Sequence, residues 1–324
     1  MKAVYPGTSI TFPGLGLSMD PPQGFEFVIG DKVFPIAIYG ILIALGLMMA
    51  VIYACRRANQ FGLKEDDILD GVLWVTPLAI VCARLYYVAF EWEQFASDPI
   101  SILYIWHGGI AIYGGVIGAL IGVAVLCKVK KIKLPALLDL VALGFLIGQA
   151  IGRWGNFFNR EAYGRTATHF LRMGLESFDQ TVYVHPTFLY ESLWNAAGFL
   201  LLHKLSKKRQ YDGQIALGYV AWYGLGRAFI EGLRTDSLYW GPFRVSQLLA
   251  ALSCVAAVIV LLLQHFKEHD PKDLLVNKVK EEKTEETEEK AEEAAEETEE
   301  KAEEAAEEAS EETAEEPAEE KTEE

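Results

Sequence analysis

The sequence predicts an all-α, polytopic membrane protein: a bundle of seven transmembrane helices, N-terminus outside and C-terminus cytoplasmic, followed by a disordered acidic tail. Three observations lead there. Of the 324 residues, 51% are hydrophobic, and they gather in apolar runs. Each run approaches the ~20 residues a helix needs to cross ~30 Å of hydrocarbon. The formal net charge of −16 sits at one end: residues 277–324 hold 24 Glu against 6 Lys, a net of −18, which leaves residues 1–276 at +2. Finally, Lys and Arg recur in alternate loops, as cytoplasmic loops require. A soluble globular enzyme is excluded by the runs, and the acidic pI of 4.9 describes the tail.

The elements follow in order. Residues 1–32 read as an external N-terminal segment, rich in Pro and Gly, with no apolar stretch resembling a cleavable leader. Residues 33–266 form the membrane catalytic domain. Its spans are Val33–Cys55, Gly71–Phe90, Ile110–Cys127, Leu134–Gly152, Pro186–Leu202, Gln214–Leu233 and Val245–Phe266. Helices satisfy their own backbone hydrogen bonds in lipid, which is why the domain reads as a bundle. The loops after the first, third and fifth spans carry Arg56, Arg57 and Lys64, then Lys128, Lys130, Lys131 and Lys133, then Lys204, Lys207, Lys208 and Arg209. They face the cytoplasm; the loop Glu91–Gly109, without Lys or Arg, faces outward. Residues 153–185 break this rule, with Arg153, Arg160, Arg165 and Arg172 on the outer side. Arginines kept there suit an anion, and phosphate above all. Residues 267–324 are a cytoplasmic, Glu-Glu-x-Ala-like low-complexity tail that cannot bury a core. Cys55, Cys82, Cys127 and Cys254 lie in apolar segments with no metal or redox spacing, so no metal is expected.

The polar residues inside the spans gather toward the outer end. Tyr39 and Arg84 lie near the outer ends of the first two spans, and His107 precedes the third in Trp106-His-Gly-Gly109. Arg153, Asn156, Glu161 and Gly164 follow the fourth. His185, Tyr190 and Glu191 open the fifth; Tyr223, Arg227, Glu231 and Arg234 occupy the sixth. An ionisable residue at a bilayer centre costs at least ~2.5–3.5 kcal/mol, which makes these residues functional candidates. Arg227 and Glu231, four apart, can pair on one helix face. Asp139, in the inner half, stands alone. The glycines from Gly108 to Gly122 permit close approach by a helix or by a ligand.

Four blocks carry a resemblance: Gly152-Arg-Trp-Gly-Asn-Phe-Phe-Asn-Arg-Glu-Ala-Tyr-Gly164, His107-Gly-Gly109, His185-Pro-Thr-Phe-Leu-Tyr-Glu191 and Tyr223-Gly-x-x-Arg-x-x-x-Glu-x-x-Arg234. In this order, within a seven-span chain, they resemble the bacterial prolipoprotein diacylglyceryl transferase family. The resemblance covers most of residues 33–266; Tyr113 and Arg160 depart from it, standing where the family often has His and Gly. It implies an enzyme of the bacterial cytoplasmic (inner) membrane that moves the diacylglyceryl group of phosphatidylglycerol onto the lipobox cysteine thiol in a prolipoprotein signal peptide. The products are a thioether and a glycerol phosphate. Its partners are then those two substrates and the lipid bilayer; nucleic acid and cofactors play no part. A free thiol has a pKa near ~8.5, so a base helps the attack. His107 is the candidate base, and Arg153 and Arg227 the candidates to hold the departing phosphate. Glu231 fixes Arg227 or serves as the base. Tyr39, Arg84, Asn156, Glu161, Gly164, His185, Tyr190, Glu191, Tyr223 and Arg234 are candidate substrate contacts. Two other readings stay open at this point: a transporter or channel for an anionic solute, which would favour internal repeats and polarity near the midplane, and a phospholipid hydrolase with water in place of the thiol.

Overall fold

The computed structural model describes residues 9–29, 32–105, 108–177, 180–235, 239–240, 243–285, 287–288 and 290. Two units divide the chain, Met1–Val276 and Asn277–Glu324. Of the second unit, the described residues are helical, and most of the acidic tail lies outside them.

The first unit is mostly helical, as expected, but it is not all-α. Strands β1 (Ile10–Phe12) and β2 (Leu17–Met19) fill part of the N-terminal segment, followed by the hairpin β3 (Gly24–Ile29) and β4 (Lys32–Ala37). The last strand corrects the first span. Val33–Ala37 are extended, and α1 begins at Ile38 and runs to Arg57. Pro35 is the physical reason: it lacks an N–H and drives the residue before it away from the helical region. Helix α2 (Glu65–Asp70) runs through a π turn at Gly71–Val75 into α3 (Thr76–Phe90). A short helix α4 (Trp92–Phe95) then precedes α5 (Ile112–Lys130), and α6 runs from Leu134 to Asn159. Strands β5 (Met173–Ser177) and β6 (Gln180–Val184) complete a four-stranded sheet in the order β2-β1-β5-β6. Helices α7 (Thr187–Ser206) and α8 (Gln214–Ile230) follow, then β7 (Tyr239–Trp240), β8 (Phe243–Arg244) and α9 (Val245–His265).

Among the described residues, five helical segments are long and apolar enough to cross a membrane: Ile38–Phe61, Glu65–Phe90, Ile112–Lys130, Leu134–Asn159 and Val245–His265. Of the two remaining expected spans, α8 has 17 residues, and α7 carries Glu191, Asn195, His203 and Lys204. The outward faces of the long helices are apolar: Leu120, Val125, Val129, Leu252 and Leu263 are all more than half exposed.

Small residues bring the helices together. Gly114, Gly118 and Gly122 of α5 lie on Cys82, Ala79 and Val75 on the α3 side, so there the glycine stripe serves helix packing. Helices α7 and α8 are joined by a reciprocal pair. Trp194 Nε1 donates to the Trp222 carbonyl and Trp222 Nε1 to the Trp194 carbonyl, both at 2.9 Å. The two indoles stack with centroids 4.3 Å apart. Gly226 and Gly198 leave the space they occupy.

At the opposite end from the arginines, Asp139 acquires a structural role. Fully buried on α6, it accepts from the backbone N–H of Gly213 through Oδ2 and of Ala216 through Oδ1, both at 2.8 Å. It thus supplies acceptors to two of the orphan donors that open α8. Nearby, Asp212 pairs with Lys133 at 2.9 Å and accepts from Leu275 N–H. Arg57 donates to Tyr53, Gln60 and Ser206.

Candidate functional site

Four helix ends meet at one end of the bundle: the last turns of α6, the first of α7, the last of α8 and the first of α9. Sequence places Arg153 and Asn156 after the fourth span, but both belong to α6, which continues seven residues past Gly152. Gly155 allows this continuation to pack. Its missing side chain is the space filled by the Tyr39 ring of α1, and any Cβ there would run into that ring. The glycine therefore makes room for a close approach and does not form a turn.

Glu191, one turn into α7, is the centre of the cluster. Its carboxylate is 2.7 Å from Arg153 Nη2 and 3.4 Å from both Arg227 Nη1 and Arg234 Nη1. Arg227 also reaches Glu231 through Nη2 at 2.6 Å, the i,i+4 pair expected from sequence. Glu191 and Glu231 are 5% and 2% exposed, so each carboxylate is held out of water by its guanidinium partners. Removing one partner of such a buried pair costs ~3–5 kcal/mol, because it strands the other charge. Arg153, Arg227 and Arg234 thus bring three guanidinium groups to the two carboxylates. Arg244 closes the far side by donating to the Glu231 carbonyl, and Gln247 donates to the Ala228 carbonyl at 2.7 Å. A narrow cleft of about 10 Å³ reaches in beside the cluster, lined by Glu191, Trp194, Asn195, Tyr223, Gly226, Arg227 and Ile230. The Tyr223 ring stacks on Tyr219 at 5.7 Å.

The segment after α6 wraps the same site. Arg153 Nη1 donates to Asn156 Oδ1 at 3.3 Å, and Asn156 Nδ2 donates to Glu161 Oε1 at 3.1 Å. Gly164 donates its N–H to the His185 carbonyl at 2.9 Å and bridges to Arg234. A side chain at Gly164 would meet His185 and the Leu233 carbonyl, so glycine is what lets the segment pass between α7 and the end of α8.

Other expected residues are placed differently. Arg84 is 6% exposed and spends its guanidinium on four carbonyls: Ile102, Gly108, Gly109 and Ser101, at 2.7–2.8 Å. It holds the loop before α5, where Gly109 has φ +77° and its backbone lies against the Arg84 fork. His107 lies outside the described residues. His185 and Tyr190 join a residue that sequence reading passes over: His169 Nε2 is 3.0 Å from His185 Nδ1 and from the Tyr190 hydroxyl. Burial and the neighbouring His169 lower the His185 pKa from its ordinary 6.5. No spacing signal marks His169; only the fold of residues 164–185 brings it there.

Chemically, a planar fork on Arg153, another on Arg227 and a third on Arg234 surround one carboxylate at one end of the bundle. Such an arrangement can exchange its internal anion for a phosphate, which offers the same paired oxygen acceptors.

The chain is similar to known proteins along most of its length. Residues 27–263 match the family model described as prolipoprotein diacylglyceryl transferase. A protein of Listeria welshimeri is 44% identical over 241 residues, covering 72% of this chain and 87% of the relative. One of Bacillus cytotoxicus is 43% identical over 251 residues, covering 75% and 93%. One of Limosilactobacillus reuteri is 42% identical over 244 residues, covering 72% and 89%. All three are named phosphatidylglycerol–prolipoprotein diacylglyceryl transferase.

Proposed function

The chain belongs to the prolipoprotein diacylglyceryl transferase family, and we propose that it transfers the diacylglyceryl group of phosphatidylglycerol to the lipobox cysteine thiol of prolipoproteins. The convergence of Arg153, Arg227 and Arg234 on buried Glu191 carries the reading at the level of residues. In the reaction the thiol sulfur attacks a glyceryl carbon of the lipid. The bond from that carbon to the phosphate oxygen breaks, and its electron pair leaves on the phosphate as a glycerol phosphate. The thiol proton passes to a base.

Arg153 and Arg227 hold the phosphate as it gains charge, the step where preorganised donors contribute most. Glu191 keeps the three forks gathered between turnovers, and Arg234 adds a contact from the end of α8. Glu231 fixes Arg227. His107 takes the proton; Arg84 fixes the carbonyls of Gly108 and Gly109 that follow it. Asn156 and Tyr39 orient headgroup oxygens, Tyr223 lines the cleft, and Glu161, Gly164, His185 and Tyr190 hold the segment over the site.

In this reading α7 and α8 cross the bilayer with the five longer segments, giving seven spans. The arginine end then lies at the outer leaflet of the bacterial cytoplasmic membrane, N-terminus outside and C-terminus inside. The Lys-rich loops after α1, α5 and α7 support that polarity.

Purified protein incubated with labelled phosphatidylglycerol, with and without a lipobox peptide, tests the reading. Label should move to peptide only when the cysteine is present, with release of glycerol phosphate. Release of glycerol phosphate or fatty acid without peptide would replace transfer by hydrolysis.

A further inference from the structure

The backbone just beyond α6 is strained at two positions, four and six residues past Asn156. Arg160 has φ +54° and Ala162 φ +55°, left-handed values that favour glycine. Arg160 closes the helix as glycine usually does: Glu161 N–H reaches back to the Asn156 carbonyl at 3.0 Å. Strained conformations persist only where the surroundings over-determine them. Here two anchors do so. The Arg160 side chain is 1% exposed. It donates to Asp20 Oδ1 at 2.6 Å, to the Pro21 carbonyl at 3.0 Å and to the Phe158 carbonyl at 3.0 Å. Thr187 at the start of α7 donates its hydroxyl to the Ala162 carbonyl at 2.5 Å.

The strained turn presents Glu161. One of its oxygens accepts from Asn156 Nδ2 at 3.1 Å and from Asn159 Nδ2 at 3.3 Å. With Nδ2 so engaged, Asn156 must offer Oδ1 to Arg153. A path therefore runs from Asp20 to the Arg160 side chain, along the backbone of the turn to Glu161, and by hydrogen bonds through Asn156 to the guanidinium that meets Glu191. Asp20 and Pro21 precede the 27–263 stretch matched by the family model. They follow β2, whose neighbour β1 pairs with β5, so the outer sheet fixes where Asp20 sits.

We propose that Asp20 and Arg160 are positioning residues for diacylglyceryl transfer. Their ion pair holds the left-handed 160–162 turn that sets Glu161 on Asn156 and so aims Arg153. The inference rests on the phosphate-holding role given to Arg153.

The test compares Arg160→Gly, Arg160→Lys, Asp20→Asn, the Asp20→Asn/Arg160→Gly double variant and Arg153→Lys in the full-length protein. Thermal stability and the kcat and KM of lipid-to-peptide transfer are measured for each. Glycine fits φ +54°, so Arg160→Gly should stay folded. Misaiming a positioned group by about 1 Å costs on the order of 100-fold, so kcat should fall about 10- to 100-fold with KM changed little. Arg160→Lys should recover part of that loss by keeping the pair to Asp20, and the double variant should be no slower than Arg160→Gly alone. Parental kcat in Arg160→Gly overturns the proposal. So does a loss that tracks thermal stability across the series, which would leave the pair merely structural. If Arg153→Lys is itself fully active, the phosphate-holding reading fails; if Arg153→Lys is impaired and Arg160→Gly is not, only the positioning proposal fails.

Discussion

Replacing Arg153 by Lys keeps the charge and removes the fork. In the structure the two ends of that fork do different work: Nη2 meets Glu191 Oε2 at 2.7 Å and Nη1 meets Asn156 Oδ1 at 3.3 Å. A single ammonium is a compact, strongly hydrated point charge and cannot span both. Folding should survive, because Glu191 keeps Arg227 and Arg234, and the Arg153 side chain is already 23% exposed. Catalysis should not. Losing one preorganised donor where charge develops costs roughly 2–4 kcal/mol, or about 30- to 1000-fold in rate. The assay is transfer of labelled diacylglycerol to a lipobox peptide at saturating lipid, so that kcat is read apart from binding, with expression and thermal unfolding measured beside it. Arg165→Lys, at an exposed position on the same segment, is the control and should run at the parental rate. An Arg153→Lys variant that inserts normally and keeps a near-parental kcat would refute the phosphate clamp. Arg227→Lys should fail similarly; if it loses folding as well, its pair with Glu231 is the more important of its two tasks.

Asp139→Asn should lower thermal stability, by about 1–3 kcal/mol, since an amide presents a donor to one of the two N–H groups the carboxylate now accepts. The transfer rate of the folded fraction should be unchanged, and a slower kcat at unaltered stability would contradict the purely structural role. Burial lowers the His185 pKa, so as pH falls the unfolded chain binds a proton before the folded one does. The contribution of His185 to stability is therefore full above pH 6.5 and lost as pH drops through the lowered folded value; melting curves from pH 8 to pH 5 should show this slope, flattened in His185→Gln. Removing residues 277–324 should leave transfer within a few-fold, measured on membranes with equal protein content.

Local rules made part of this legible from sequence. The Arg227–Glu231 pair follows from helical spacing alone, and apolar runs marked where the long helices lie, though the start of α1 and the end of α6 were displaced by five and seven residues. Where the reading slipped, local rules met tertiary ones. Gly152–Asn159 looked like a loop because polarity rises there, yet those polar groups turn inward on a continuing helix. Arg84 looked like an anion contact because a lone arginine in a span demands a partner; its partners are carbonyls, which no sequence pattern displays. Asp139 was conspicuous for the same reason, and its partners are backbone N–H groups more than 70 residues away. Glu191 was marked as a substrate contact and its place at the centre of an arginine cluster was not foreseen, since its arginines lie 36 to 43 residues along the chain, in and just past α8, and 38 residues back in α6. The strands of the N-terminal segment were missed because they are short, and β1 in addition takes a partner, β5, that lies beyond residue 170.

The stacked indoles between α7 and α8 have a bearing on traffic. A two-tailed lipid enters a bundle sideways, through a gap between neighbouring helices. Sliding α8 along α7 by even one residue would break both indole–carbonyl bonds and drive each ring out of the niche left by the opposing glycine. That seam is latched twice over, directly beneath Glu191 and Arg227. A gap opening between these two helices would have to break both bonds and unstack the rings.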